Sequence, residues 1–199
     1  MKNYSLPEKP SGIIGVVAGV IMLLRHRRSY KLAWKALDLC DQDTFLEIGF
    51  GLGNFLKKAG GVASFVAGLD HGKDMVKIAK LMNKTKILSG KMDIRLGEAS
   101  SLPWDDESFT SAAIIEAFYY LSNPKKTLLE VYRVLRESGR IVITMIWYRD
   151  GKRSYKVIEE KYNANIFSID SLRMLLNNAG FKNVCVKVTD DVLLAFAYK

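Results

Sequence analysis

Cysteine, histidine and proline are scarce in this chain of 199 residues, which has two, two and four of them. Cys40 and Cys185 stand far apart, with no second cysteine or histidine at ligand spacing, which argues against a disulfide framework or a zinc cluster. Both thiols lie in apolar stretches and are expected to be buried. His26 and His71 are equally isolated, so no metal site is expected, and His26, set among arginines, is expected at the surface. Long apolar runs are short of what a membrane needs. Ile13 to Leu24 is non-polar for twelve residues, against about twenty for a spanning helix. The Arg25-His26-Arg27-Arg28 flank and the lack of a small-residue cleavage site speak against a signal peptide. Acid is also sparse at this end. Up to Lys35, Glu8 stands alone against Lys2, Lys9, Arg25, Arg27, Arg28, Lys31 and Lys35, in a chain of net charge +9. Anionic lipid, nucleic acid, an acidic substrate or plain solvent could face such a patch, and the counts do not separate them.

Nearly half of the residues are apolar and about a quarter charged (49% and 26%), as in one compact domain with a real core. Residues 1–36 are expected to form an arm, apolar then basic, and 37–199 the main domain. The arm is read as a lid over a pocket, or else as a helix whose apolar body dips into a bilayer surface while its arginines meet headgroups.

What is present is concentrated in Leu46-Glu47-Ile48-Gly49-Phe50-Gly51-Leu52-Gly53. Thr44 to Ile48 reads as a buried strand and Asn54 to Ala59 as a helix, so alternate glycines sit at a strand-to-helix junction, where backbone can approach a ligand closely. The third glycine falls one residue too early for the dinucleotide pattern G-x-G-x-x-G, which would need glycine in place of Asn54. Glu47, two residues before the first glycine, suits a ligand with a positive ammonium and sulfonium better than a pyrophosphate.

Ala63 to Leu69 is a second strand closing on Asp70, followed by a helical pattern with Met75, Ile78, Ala79 and Met82 on one side. An acid at that strand end can accept hydrogen bonds from ribose hydroxyls, or else cap the next helix. Met92 to Leu96 and Thr110 to Ile115 read as further strands. Asn123-Pro124 opens a helix with a stripe of Leu128, Val131 and Leu135, expected to end at Gly139. Ile141 to Trp147 is a fifth strand, Ser168 to Asn178 a helix stopped by Gly180, and Val184 to Val188 with Val192 to Tyr198 a hairpin about Asp190-Asp191. The alternation predicts an α/β fold: a doubly wound, Rossmann-like sheet, mostly parallel, with the ligand at the carboxyl ends of its strands.

These residues resemble the class I S-adenosylmethionine-dependent methyltransferases, in their small-molecule branch, over nearly all the chain from Leu39. The glycine stretch is similar to the family's first motif. Gly68-Leu69-Asp70 with Met75 is similar to the second. Gly97-Glu98-Ala99, with Leu102-Pro103-Trp104 and Asp106 to Phe109, is similar to the third. Glu116 to Pro124 and Leu128 to Gly139 look like the fourth and its following helix. The resemblance implies seven strands with a terminal antiparallel hairpin. It places S-adenosylmethionine against Glu47, Gly49, Phe50, Gly51, Gly53, Asp70, His71, Met75, Glu98, Ala99 and Glu116. Glu98 and Thr110 stand where the family more often has aspartates, and Tyr119-Tyr120 where histidines are common.

The activity so implied is in-line transfer of a methyl group to a small-molecule acceptor, a step that mostly needs alignment and exclusion of water. Should a base be needed, Glu116, Tyr119 and Tyr120 are the catalytic candidates, with His26 beside them, and Trp147 and Tyr148 shape the acceptor pocket. For the tyrosines, an aromatic wall or core packing is an equal reading. The enzyme is expected in the cytoplasm, with the arm as a peripheral contact to the inner face of the membrane if the acceptor is a lipid. Glu116-Ala117-Phe118-Tyr119 lacks the prolines of enzymes that methylate nucleic-acid bases, which disfavours nucleic acid as a partner. A nicotinamide oxidoreductase is opposed by Asn54, and a non-catalytic S-adenosylmethionine-binding protein would keep the same motifs.

Overall fold

The computed structural model describes residues 26–147 and 164–199. The apolar run at Ile13 to Leu24 and Tyr148 lie outside the described residues.

A helix, α1 (Arg27–Leu37), precedes β1 (Thr44–Ile48), α2 (Asn54–Ala59), β2 (Phe65–Asp70), α3 (Lys73–Met82), α4 (Lys84–Leu88) and β3 (Met92–Leu96). Then come β4 (Phe109–Ile115), a 3-10 turn at Phe118–Tyr120, α5 (Pro124–Val134), β5 (Leu135–Ile146), α6 (Ile169–Asn178), β6 (Lys182–Thr189) and β7 (Val192–Tyr198). One seven-stranded sheet has the order β3-β2-β1-β4-β5-β7-β6. The first five strands are parallel, and β7 runs antiparallel to both β5 and β6. The expected doubly wound sheet with a terminal hairpin is the fold observed.

Alternation of side chains divides the core between two faces. Phe45, Val66 and Val142 pack with Ala33 and Leu37 of α1, Phe55 and Leu56 of α2, and Val76 and Ala79 of α3. Leu46, Ile48 and Ile143 pack on the other side with Leu128 and Val131 of α5 and Leu172 and Leu176 of α6. Strands covered on both faces need the continuous apolar runs seen in β4 and β5.

Helix ends follow local chemistry. The Asn123 side chain accepts from the Lys126 amide at 3.0 Å with Pro124 in the first turn of α5, and Ser168 and Ser171 form a reciprocal cap on α6. Gly180, at φ 98°, follows α6 as expected. The end of α5 differs from the expectation. It stops at Val134, because Leu135 is already extended (φ −75°, ψ 141°) and pairs with Phe109. Gly139 belongs instead to the entry of β5: Ser138 turns the chain with φ 64°, and a Cβ at Gly139 would meet the Arg136 carbonyl oxygen at 2.7 Å. In α3 the buried positions are Val76 and Ala79, and Met82 is exposed.

Both cysteines are exposed, contrary to the expectation. Cys185 sits on edge strand β6, where Val186 takes the inward position and period-two alternation turns its neighbour out. Cys40 lies in the loop between α1 and β1. Helix α1 was hidden in the sequence by its charge. Its face of Ser29, Ala33 and Leu37 is buried against the sheet.

At the amino edge of the sheet, Arg140 fastens this helix. Its guanidinium donates to Asp43 Oδ1 (3.0 Å) and Oδ2 (2.7 Å), and to the carbonyls of Leu37 and Asp38 where α1 ends. Asp43 also accepts from Thr110 Oγ1 at 2.6 Å. Burial pushes its carboxyl up, but the hydrogen bonds from Arg140 and Thr110 outweigh this and hold it at about 2. Thr110, where the family often has an aspartate, is thus a structural partner of Asp43.

Candidate active site

The glycine loop lies at the carboxyl edge of the sheet, between β1 and α2. Gly49, Gly51 and Gly53 have φ of 74°, 56° and 76°, in the left-handed region that side chains disfavour. Their surroundings differ. A Cβ on Gly49 would meet the Ala117 Cβ at 2.4 Å, and one on Gly53 the Ala79 Cβ at 2.9 Å, so these two let elements pack. At Gly51 nothing lies within 4 Å, which leaves open space above bare backbone. Phe50 contributes backbone only: its carbonyl accepts from the Gly53 amide at 2.9 Å, while its buried ring faces Gly68.

Two acids flank the loop. Asp70, at the end of β2, accepts from the Gly51 amide at 2.9 Å and the Gly72 amide at 2.8 Å, tying the loop to the start of α3. Each carboxylate oxygen keeps a further lone pair for a ligand hydroxyl. Glu47 is buried under the loop with 1% of its surface exposed, and its Oε2 has no hydrogen-bond partner. Burial first, and the charge of Asp70 second, push its carboxyl well above the usual range, against a backbone hydrogen bond from Leu56. An unpartnered buried carboxyl oxygen is costly, and a cation beside it would relieve that cost.

A third acid anchors a second cluster. Glu116 follows β4 with φ 54°, a conformation that costs a non-glycine residue roughly 1 kcal/mol and recurs at functional sites. Its carboxylate accepts from Ser29 Oγ, from the Tyr119 hydroxyl at 3.0 Å and from the Ile146 amide at 3.2 Å. His26 Nε2 lies 3.8 Å away. His26 is buried, not exposed as its arginine neighbours suggested, because the first turn of α1 faces the sheet. Burial raises the Glu116 carboxyl despite these hydrogen bonds. Tyr30, next along α1, is pushed far up by burial and by the charges of Glu47 and Glu116, which places a protonated phenol within range of both acids.

The structure therefore brings Glu47, Gly49, Gly51, Gly53 and Asp70 together, and joins Glu116 to Tyr119. Other sequence candidates stand further out. Tyr120 packs on the Tyr119 ring, centroids 4.3 Å apart, and is 39% exposed. His71 is exposed, with Nδ1 3.7 Å from Asp70 Oδ1, and Met75 lies half-buried beside Gly72. Glu98 is exposed and Ala99 buried. Trp147 donates its amide to the Asp191 carbonyl at 2.8 Å. Sequence reading missed Ser29 and Tyr30. Their signal was the spacing of His26, Ser29, Tyr30, Ala33 and Leu37 on one helical face, masked by the arginines and lysines between them. Among the described residues no group of three or more histidine, cysteine or acidic side chains could hold a metal ion.

Comparison with known proteins accords with this geometry. Residues 46–143 match the family described as a methyltransferase domain. An uncharacterised protein of Methanocaldococcus jannaschii is 30% identical over 147 residues, covering 70% of this chain and 64% of its own length. A demethylmenaquinone methyltransferase of Oceanobacillus iheyensis is 27% identical over 195 residues, covering 84% and 82%. A chain from the complex between the Haloferax volcanii Trm112 methyltransferase activator and a methyltransferase superposes with a TM-score of 0.77 at 22% identity, covering 92% and 93%. The central part of the chain thus matches the methyltransferase domain, and the chain as a whole is similar to methyltransferases in sequence and to their solved structures in fold. It spans just under two thirds of the Methanocaldococcus protein.

Proposed function

We propose that this protein moves a methyl group from S-adenosylmethionine to a small-molecule acceptor. What carries the reading is the pair formed by the open backbone at Gly51 and the unpartnered buried Oε2 of Glu47. Together they fit a cationic ligand laid along the loop, with Asp70 as acceptor for its ribose hydroxyls. When bound, S-adenosylmethionine supplies a methyl carbon already activated by its sulfonium. The chain's part is to hold, orient and dry the site. Gly49, Gly51 and Gly53 present backbone, Glu47 balances charge, and Met75 and Ala99 offer apolar surface towards the adenine. Glu116 is the group placed to take a proton from the acceptor, since its raised carboxyl binds one more readily than an ordinary carboxylate. Tyr119 and Ser29 hold that carboxylate in position. Relatives such as the Oceanobacillus enzyme, named for a quinone precursor, support a small molecule as acceptor.

Isothermal calorimetry tests the cofactor assignment. S-Adenosylmethionine and its demethylated product should bind the folded protein, and Asp70→Ala should weaken both by about tenfold or more, a loss of one charge-assisted pair. No binding, or equal binding by the variant, would refute the reading.

A second reading keeps the chemistry and changes the acceptor to a membrane lipid, with the enzyme in the cytoplasm and residues 1–36 as a lid or as a contact to the inner membrane face. The observation favouring it is that Arg27, Arg28 and Lys31 are exposed along α1. No described helix is long and apolar enough to cross a membrane.

A further inference from the structure

A groove of about 840 Å³ opens between α1 and α2 and reaches the end of β5 and the β6–β7 turn. That is the volume of a small-molecule site. Its walls alternate flat rings with cations: Tyr30, Trp34 and Phe55 supply the rings, and Arg27, Lys31 and Lys58 the charge. The Lys58 ammonium lies over the Trp34 ring, 3.7 Å from its centroid, which keeps the cation at the wall.

Opposite charge is present but outnumbered: Arg27, Arg28, Lys31 and Lys58 line the groove with two acids. Asp191 pairs with Arg28 at 3.9 Å, and Asp190 is the other acid lining the groove. Among the described residues neither Arg27 nor Lys31 enters an ion pair. A ligand carrying an anionic group would meet these cations without first displacing an acid, whereas a neutral ligand would gain from the rings alone. Ser29 and Ile146 also line the groove, and both hydrogen-bond to Glu116. Two residues of the groove wall therefore also hold that carboxylate.

We propose that this groove binds a small molecule bearing an anionic group on a flat apolar body, and that the methyl acceptor is of this class. The second half rests on the methyl-transfer reading, and the first half does not.

Two dyes with one ring system serve as probes: anionic 8-anilino-1-naphthalenesulfonate and neutral N-phenyl-1-naphthylamine. The natively folded full chain should bind the sulfonate saturably at one site by fluorescence titration, and more tightly than the neutral dye. Replacing the three exposed cations together (Arg27→Ser, Lys31→Ser, Lys58→Ser) should weaken the sulfonate by about tenfold or more and the neutral dye by less than about twofold. Trp34→Ala should weaken both. Equal sulfonate binding by the triple variant, or equal affinity of the native protein for the two dyes, would overturn the proposal. Calorimetry with S-adenosylhomocysteine on the same samples separates the two ideas. Failure of the dye with product binding intact removes the groove alone, and failure of product binding removes the methyl-transfer reading.

Discussion

Glu47 and Glu116 show how a few atoms set the character of the site. Both carboxyls are raised by burial, Glu47 further by Asp70, so the folded chain binds their protons more tightly than the unfolded chain does. The stability they contribute is complete below the ordinary value of 4.5 and is lost as pH rises through the raised values. Raising pH from about 5 to about 8 should therefore lower the melting temperature of the ligand-free protein. The double variant Glu47→Gln, Glu116→Gln should flatten that fall by roughly 3 °C or more. Melting curves equally steep in both proteins would contradict this. Glu47, Asp70 and the glycines were legible in the sequence because a strand end, a tight loop and a helix start lie within a few residues. Ser29 was not, since the acid it meets is 87 positions away.

Helix α1 illustrates the next scale. It is tied at one end by Ser29 to Glu116, and at the other by Arg140, which grips the carbonyls of Leu37 and Asp38 and the carboxylate of Asp43. Asp43 is 5% exposed and Arg140 19%, so removing the cation would strand a buried charge. Arg140→Ala should cost about 3 kcal/mol in urea unfolding at neutral pH. Arg140→Lys should recover only part of it, because a point charge cannot copy the two-pronged guanidinium. A loss under about 1 kcal/mol would show the pair to be dispensable. In the native protein the contribution from Asp43 is present above 3.8 and fades as pH falls towards 2. Element boundaries were less legible than element types. Helix α5 stopped at Val134 because Leu135 was captured by Phe109, a partner no local pattern announces.

Across the whole molecule, charge and sheet order decide what reaches the site. The net charge is +9, and part of that excess sits on α1 beside the groove. If the arm also meets lipid, the full chain should sediment with vesicles of anionic phospholipid and be released as salt rises, and deletion of residues 1–25 should abolish most of that pelleting. Equal pelleting by the shortened chain would remove the membrane role of the arm. The deletion stops before α1, because Ser29, Ala33 and Leu37 are buried against the sheet. Parallel strands β1 to β4 point their carboxyl ends the same way, and this alone brings the glycine loop, Asp70 and Glu116 to one edge.

The succession of strands, the glycine junction and its two acids were determined by the chain on its own, because each depends on neighbours only a few residues away. The tertiary structure decided which side chains meet. It buried His26, matched Ser29 with Glu116 and set rings and cations along one groove. Such contacts depend on the packing of α1 against strands far off in sequence, and no local periodicity encodes that distance.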